Sequence, residues 1–144
     1  MADRLAGLLP RVKVLAEQLL QRASAAGIAL VVTQGLRTYA EQDALYAQGR
    51  STPGKIVTRA RGGQSAHNFG RAFDVAFVSK NGIAWDGPWD EIGAMGQELG
   101  LEWGGAWPSF KDRPHFQLME GKTLAELRAE HDAPAPDVDG EISV

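Results

Sequence analysis

The chain of 144 residues has an ordinary apolar content of 44%, a charged content of 23% and a formal net charge of −3. This length and composition suit one domain with a single core, and the acidic balance disfavours nucleic acid as the main partner. The absence of cysteine excludes a disulfide scaffold and a cysteine-ligated zinc site, so a metal would need histidine and carboxylate ligands.

Hydrophobic spacing and turn residues predict the elements in chain order. Leucines and valines at helical spacing begin near Pro10, and Gly27 is a good residue to end that helix. Short apolar runs predict strands, and Asn81-Gly82 is typical of a hairpin turn. The predicted elements are a helix from 10 to 26, a strand at 28–33, a helix at 38–49, strands at 71–78 and 83–85, a helix at 88–99, strands at 101–103 and 115–119, and a short helix after Thr123.

These elements do not alternate as regular βαβ units, so the predicted class is α+β, with a small antiparallel sheet and flanking helices. Residues 50–66 predict a long loop with a brief strand at Lys55–Thr58, and loops of that length are often functional. Residues 1–131 are predicted to form one catalytic domain. Residues 132–144 are acidic and contain proline, which predicts a disordered tail.

A carboxylate interrupts the apolar run RAFDVAF. On a period of two, Asp74 shares a strand face with Ala72 and Ala76, while the large apolar side chains point to the other face. An unpaired buried carboxylate is costly, so a cation should accompany it. An arginine or a metal ion would serve.

Two histidines are placed to join this carboxylate. His67 lies in the turn before the strand and His115 opens another strand, so neighbouring antiparallel strands would bring both to Asp74. Two imidazoles and one carboxylate form a three-ligand zinc site with an open fourth position. Asp112 lies three residues before His115 and could act as a base. Spacing alone leaves the alternative open that His67 caps a turn and Asp74 pairs with an arginine.

Four ordered segments together are more specific than that spacing. SAHNFGRAFDVAF resembles the S-x-H-x-x-G-x-A-x-D signature of the zinc D-alanyl-D-alanine carboxypeptidase and L-alanyl-D-glutamate peptidase family, whose fold is shared with the hedgehog signalling domain. TQGLRTYAEQ, LEWGGAW and KDRPHFQ resemble further segments of that family in the same order, over roughly residues 10–120. The signature residues matched are Ser65, His67, Gly70, Ala72 and Asp74.

The resemblance implies a zinc ion held by His67, Asp74 and His115, with Asp112 as the general base. The carboxypeptidase branch usually has glutamate in an E-x-x-H segment where this chain has Asp112 three residues before His115. That departure points to the endopeptidase branch.

The resemblance also implies residues that contact the substrate. Arg37 would bind and polarise a carbonyl or carboxylate of the substrate, and Ser65 would support substrate binding.

Trp107, beside a Gly-Gly pair, is expected to line the cleft, while Trp85 and Trp89 are expected in or over the core. His131 is expected to be exposed and without a role.

The expected function is therefore zinc-dependent hydrolysis of the L-alanyl-D-glutamate bond in the stem peptide of peptidoglycan, as in a phage or prophage endolysin. The alternatives are a D-alanyl-D-alanine carboxypeptidase and a catalytically silent zinc-containing wall-binding domain.

We expect a monomer with no nucleic-acid partner and no membrane span. Pro10, Arg11 and Lys13 interrupt any signal-peptide core. We therefore expect synthesis in the bacterial cytoplasm, with access to periplasmic peptidoglycan through a separate holin-type pore.

Overall fold

The computed structural model of the chain describes residues 3–132, in which four α-helices and two short 3-10 helices surround a five-stranded sheet. The α-helices are α1 (Pro10–Ala25), α2 (Tyr39–Ala47), α3 (Trp89–Glu98) and α4 (Leu124–Asp132). The strands are β1 (Leu30–Gln34), β2 (Ala72–Ser79), β3 (Gly82–Ala84), β4 (Glu102–Trp103) and β5 (His115–Gln117). The first 3-10 helix spans Ala66–Phe69 and the second spans Gly104–Ala106. The predicted α+β class is confirmed.

The sheet is antiparallel throughout and is organised around β2. Its order is β1-β2-β5-β4, and β3 pairs with the end of β2 beyond β5. The register of β2 against β5 places Asp74 directly opposite His115. Only Gly70 and Arg71 separate the first 3-10 helix from β2, so three chain segments meet at the start of this strand.

The core lies on the face of β2 that the sequence pattern assigned to large apolar side chains. Phe73 and Val75 are fully buried there, and the Phe73 ring stacks on Phe116 of β5 at a centroid distance of 5.7 Å. Leu19 of α1 and Ile92 of α3 are also fully buried in the same cluster. Burial of this apolar surface fixes which face of β2 turns outward. Asp74 is therefore held on the opposite face, as the alternation predicts.

The strand predicted at Lys55–Thr58 is wrong, because this segment has no regular structure. A strand needs a neighbour for its backbone ladder, and no described strand pairs with these residues. A side chain supplies contacts instead, since Gln48 Nε2 donates to the Lys55 carbonyl oxygen at 3.0 Å. The apolar side chains of Ile56 and Val57 are exposed.

The chain end differs slightly from the prediction. Asp132, the first residue of the predicted tail, is the last residue of α4. The rest of that predicted tail, 133–144, lies outside the described residues. Among helices within residues 3–132, none is long and apolar enough to cross a membrane.

Candidate active site

Three side chains converge where β2, β5 and the first 3-10 helix meet. One ligating atom from each of His67, Asp74 and His115 lies within 4.8 Å of the other two. Both imidazoles are buried and the carboxylate is partly buried. The sequence pattern predicted this trio, and the cross-strand register of β2 and β5 provides the geometry.

The position of His67 is fixed by the cap of its short helix. Ser65 Oγ accepts the backbone N–H of His67 at 3.2 Å, and the side chain of Asn68 bonds back to the backbone N–H of Ser65 at 3.3 Å. This reciprocal capping box satisfies donors at the start of the helix. Gly70 ends it with φ of 67°, a left-handed conformation that favours glycine. Ser65 thus has a capping role, while its predicted contact with substrate stays a prediction.

The outer nitrogens of both imidazoles are held by oxygen acceptors. His67 Nδ1 lies 2.9 Å from the carbonyl oxygen of Gly35, and His115 Nε2 lies 2.7 Å from Gln117 Oε1. Gln117 Nε2 donates to Glu102 Oε2 at 2.8 Å, so the orientation of this amide follows from the network. Because an oxygen acceptor needs an N–H, the outer nitrogens carry the protons in the neutral rings.

The inner nitrogens then face the carboxylate with lone pairs. His67 Nε2 and His115 Nδ1 each lie 3.2 Å from Asp74 Oδ1. Three electron-rich atoms this close repel one another unless a cation lies among them. A proton on an imidazole or a metal ion can supply that charge. The donor set of two imidazole nitrogens and one carboxylate oxygen, with outer hydrogen bonds in place, fits a divalent metal such as zinc.

The electrostatics of the trio point the same way. Burial opposes the charge on Asp74, but when a proton rather than a metal ion lies among these atoms, hydrogen bonds from His115 and His67 outweigh burial and lower the pKa of its carboxyl group. Burial likewise opposes protonation of His115, yet the contact with Asp74 raises the pKa of its imidazole above the ordinary value. Asp74 therefore stays ionised and favours a cation beside it, either a proton on an imidazole or a metal ion.

Asp112 lies beside the trio, at the rim of the site. Its Oδ2 is 3.9 Å from His115 Nδ1, and 48% of its side chain is exposed. Its backbone N–H donates to the carbonyl oxygen of Gly104 at 3.0 Å, which ties it to the second 3-10 helix. A Cβ atom at Gly104 would come within 2.3 Å of the Asp112 carbonyl oxygen, so glycine permits this approach. Partial burial raises the pKa of the Asp112 carboxyl group.

Arg37 lies on the other side of Asp74. Its Nη2 is 3.8 Å from Asp74 Oδ2, and its Nη1 donates to Gln42 Oε1 at 2.8 Å. Its buried Nε has no hydrogen-bond partner among the described residues. Burial lowers the pKa of the guanidinium, partly offset by Asp74. Arg37 thus places a positive charge beside Asp74 and has one N–H group without a partner among the described residues.

Sequence reasoning missed two glutamines that support the site. Gln42 is fully buried in α2 and donates from Nε2 to the carbonyl oxygen of Ala60 at 2.8 Å, while its other end holds Arg37. Gln117 holds His115. A polar residue on the inward face of a short helix was the available signal for Gln42. No sequence signal distinguished Gln117 from an ordinary exposed strand residue.

A cleft of about 1500 Å³ opens over these groups. Trp107 lines it as predicted, and its ring centroid is 5.2 Å from that of His115. Trp89 is buried in the core as expected, whereas Trp85 is 55% exposed and lines the cleft, so Trp85 is not a core residue. The predicted site residues that line the cleft are Arg37, Ser65, His67, Asp74, Trp107, Asp112 and His115.

The exposure expected for His131 is confirmed, and its ring packs against two aromatic neighbours. The ring stacks on Tyr39 at a centroid distance of 4.6 Å and meets Phe69 edge-on at 5.7 Å. These contacts join α4 to α2 and to the helix that carries the first histidine. Its role in the described structure is packing.

Comparison with known proteins gives matches over most of the chain. A family model described as D-alanyl-D-alanine carboxypeptidase matches residues 58–118. The peptidoglycan L-alanyl-D-glutamate endopeptidase CwlK of Bacillus subtilis (strain 168) is 45% identical over 121 residues, which cover 76% of this chain and 72% of CwlK. The L-alanyl-D-glutamate peptidase of Listeria phage A118 is 29% identical over 110 residues, covering 74% of this chain and 36% of the phage protein.

Solved structures extend this similarity to the fold. The Serratia marcescens L-Ala D-Glu endopeptidase ChiX matches with a TM-score of 0.55 and 31% identity, covering 80% of this chain and 83% of ChiX. A mutant of the vancomycin-resistance D,D-pentapeptidase VanY, in complex with Zn(II), matches with a TM-score of 0.60 and 15% identity over 86% of this chain and 78% of VanY. At that identity the VanY likeness concerns the fold alone.

Proposed function

Because this chain belongs to the family of D-alanyl-D-alanine carboxypeptidases and L-alanyl-D-glutamate peptidases, and is therefore a hydrolase, we propose that it is a zinc-dependent endopeptidase that cleaves the L-alanyl-D-glutamate bond of peptidoglycan. The observation that carries the proposal is the trio of His67, Asp74 and His115 with both inner imidazole nitrogens turned toward the carboxylate.

Relatives above 30% identity support the choice of bond. CwlK and ChiX both bear the name of this endopeptidase activity, at 45% and 31% identity. The D,D-peptidase matches lie at much lower identity, as VanY does at 15%. Asp112, in place of the glutamate of the carboxypeptidase branch, agrees with this choice.

The proposed metal ligands are His67 Nε2, one oxygen of Asp74 and His115 Nδ1. A zinc ion held there would supply Lewis acidity toward a peptide carbonyl and a water molecule. The chain's own contribution is to fix both imidazole tautomers through Gly35 and Gln117, so that both lone pairs point inward.

Asp112 is proposed as the general base. It is close to the trio without belonging to it, and its partly exposed carboxylate can reach a water molecule in the cleft. It would take a proton from the attacking water and deliver a proton to the leaving amine. Its raised pKa brings the carboxyl group closer to the range in which proton transfer in both directions is efficient.

Arg37 is proposed to stabilise the oxyanion that develops on the scissile carbonyl. Its guanidinium is mostly buried beside Asp74, and its Nε has no hydrogen-bond partner within residues 3–132, so its charge is presented without reorganisation. Ser65 and Trp107 line the same cleft and are proposed to contact the bound peptide.

The proposed biological role is that of a phage or prophage endolysin that acts on periplasmic peptidoglycan after release through a separate pore. Its support is the relative from Listeria phage A118, of which the chain spans about a third. The complete set of proposed ligands, base and arginine in one cleft argues against a silent wall-binding domain, because a binding domain has no need of a base.

Mass spectrometry of digested Gram-negative peptidoglycan tests the function. We expect new D-glutamate amino termini that vanish with a chelator and return when zinc is added. Asp112→Asn should retain zinc and lose about 10²–10⁴-fold in rate, whereas Glu17→Gln, a matched change on the exposed surface of α1, should not alter the rate. Release of terminal D-alanine would instead favour a carboxypeptidase, and bound zinc without any cleavage would favour the silent domain.

A further inference from the structure

The cleft is cationic although the chain is acidic. Two carboxylates line it: Asp74, a proposed metal ligand, and Asp112, the proposed base. The basic side chains that line it are Arg37, Arg59, Lys111 and Arg128. Residues 3–132 carry 15 Lys+Arg and 15 Asp+Glu, so their formal net charge is zero and the positive lining is a local excess. Cations concentrated in a cleft raise the local concentration of anionic ligands.

Three of these four cations, Arg59, Lys111 and Arg128, lack an ionic partner in the described structure. Elsewhere, Arg22 pairs with Glu98 at 3.0 Å, for example. Within residues 3–132, Arg59 and Lys111 have no carboxylate within 4.0 Å. Their charges are therefore available to a ligand from solution.

Arg59 is nevertheless held in place. Its guanidinium carbon lies 3.9 Å from the centroid of the Phe110 ring, a cation–π contact that leaves the N–H groups at the edge of the guanidinium free. Phe110 is 65% exposed and has φ of 52°, a left-handed conformation that is rare for a bulky residue. Strained residues of this kind cluster at functional sites. This one places an aromatic ring beneath a cation at the cleft.

The same contact brings both cations to the loop that carries the proposed base. Phe110, Lys111 and Asp112 are consecutive in this loop, and Arg59 reaches it from the loop at residues 50–66. The long loop predicted at residues 50–66 thus contributes a positive charge next to the proposed base. Arg128 comes from α4, and its Nη1 donates to the carbonyl oxygen of Gly63 at 3.1 Å.

The chemistry of the proposed substrate supplies a matching anion. D-glutamate has two carboxyl groups and the peptide continues through one of them, so a free carboxylate remains beside the L-alanyl-D-glutamate bond. We propose that Arg59 and Lys111 bind this carboxylate, so that the enzyme selects stem peptides with a free acid over stem peptides in which that group is a carboxamide. The inference rests on the proposed function and adds a specificity to it.

Two synthetic stem peptides that differ only in this group, acid or carboxamide, test the proposal. For the zinc-loaded wild type we expect kcat/KM to favour the acid by about tenfold at low salt, with the preference shrinking as ionic strength rises. The preference should fall to about threefold in Arg59→Gln or Lys111→Gln, and to about one in the double variant. Arg59→Lys keeps the charge and should keep most of the preference. Lys80→Gln, an exposed lysine outside the cleft, is the matched control.

Calorimetric binding of both peptides to Asp112→Asn gives the same comparison without turnover. Equal kcat/KM and equal affinity for acid and amide in the wild type would overturn the proposal, and so would a preference that survives in the double variant. If neither peptide is cleaved but the acid still binds more tightly through Arg59 and Lys111, the proposed bond is wrong while the carboxylate site stands. The melting temperature of each variant shows that it is folded.

Discussion

The hydrogen bond from His115 to Gln117 makes a quantitative prediction about metal affinity. Gln117→Met removes the acceptor that lies 2.7 Å from His115 Nε2 while keeping a side chain of similar length. Loss of the hydrogen-bond acceptor that holds a metal-binding histidine lowers metal affinity by about 10–100-fold, which is about 1.4–2.8 kcal/mol. The effect arises because the imidazole no longer has a fixed tautomer or ring orientation.

Competition for zinc against a chromophoric chelator measures this change directly. Gln117→Met should bind zinc about 10–100-fold more weakly than the wild type, and saturating zinc should restore most of the activity. Gln97→Met, on the exposed side of α3, is the matched control and should leave zinc affinity unchanged. A folded Gln117→Met protein that bound zinc as tightly as the wild type would refute the assignment of Nδ1 as the metal-facing nitrogen of His115.

Further predictions concern the oxyanion, the loop that carries the base, and acid stability. Arg37→Gln should lower kcat by about 10²–10³-fold with zinc content preserved, and a loss below tenfold would contradict its role. Gly104→Ala should also lower kcat without loss of zinc, because a Cβ atom would come within 2.3 Å of the Asp112 carbonyl oxygen and displace the loop; a wild-type rate would show that the loop adapts. The hydrogen bond from Arg11 lowers the pKa of Glu120, so the stability from this carboxylate is present above its ordinary pKa of 4.5 and is lost as pH falls through the lowered value. The difference in melting temperature between wild type and Glu120→Gln should therefore be larger at pH 7 than at pH 3, and a constant difference would contradict this reasoning.

Part of this structure could be predicted because it depends on local periodicity. The alternation around Asp74 is set by burial of one strand face, and that burial is visible in the order of large and small residues. Thr38 and Glu41 form the capping box at the start of α2 that the sequence pattern indicates. The four segments that resemble the family also predicted which residues, distant in sequence, lie together in one site.

The rest depends on which segments meet in space. Ile56 and Val57 have side chains typical of a strand, but a strand forms only where a neighbour offers a ladder. The support from Gln42 and Gln117 requires that a helix and a strand edge approach Arg37 and His115 at hydrogen-bond distance. No pattern along the chain encodes that approach.

The register of β2 against β5 has a consequence for the order of folding. The first two proposed ligands are seven residues apart in sequence, whereas the third follows Asp74 by 41 residues. Closing the longer loop costs conformational entropy, and pairing of the two strands has already met that cost in the folded chain. A metal ion should therefore be held weakly by an incompletely folded chain and tightly only after β5 has joined the sheet. Tight binding of the metal ion would then coincide with completion of the sheet. A chain that is still folding would have no peptidase activity.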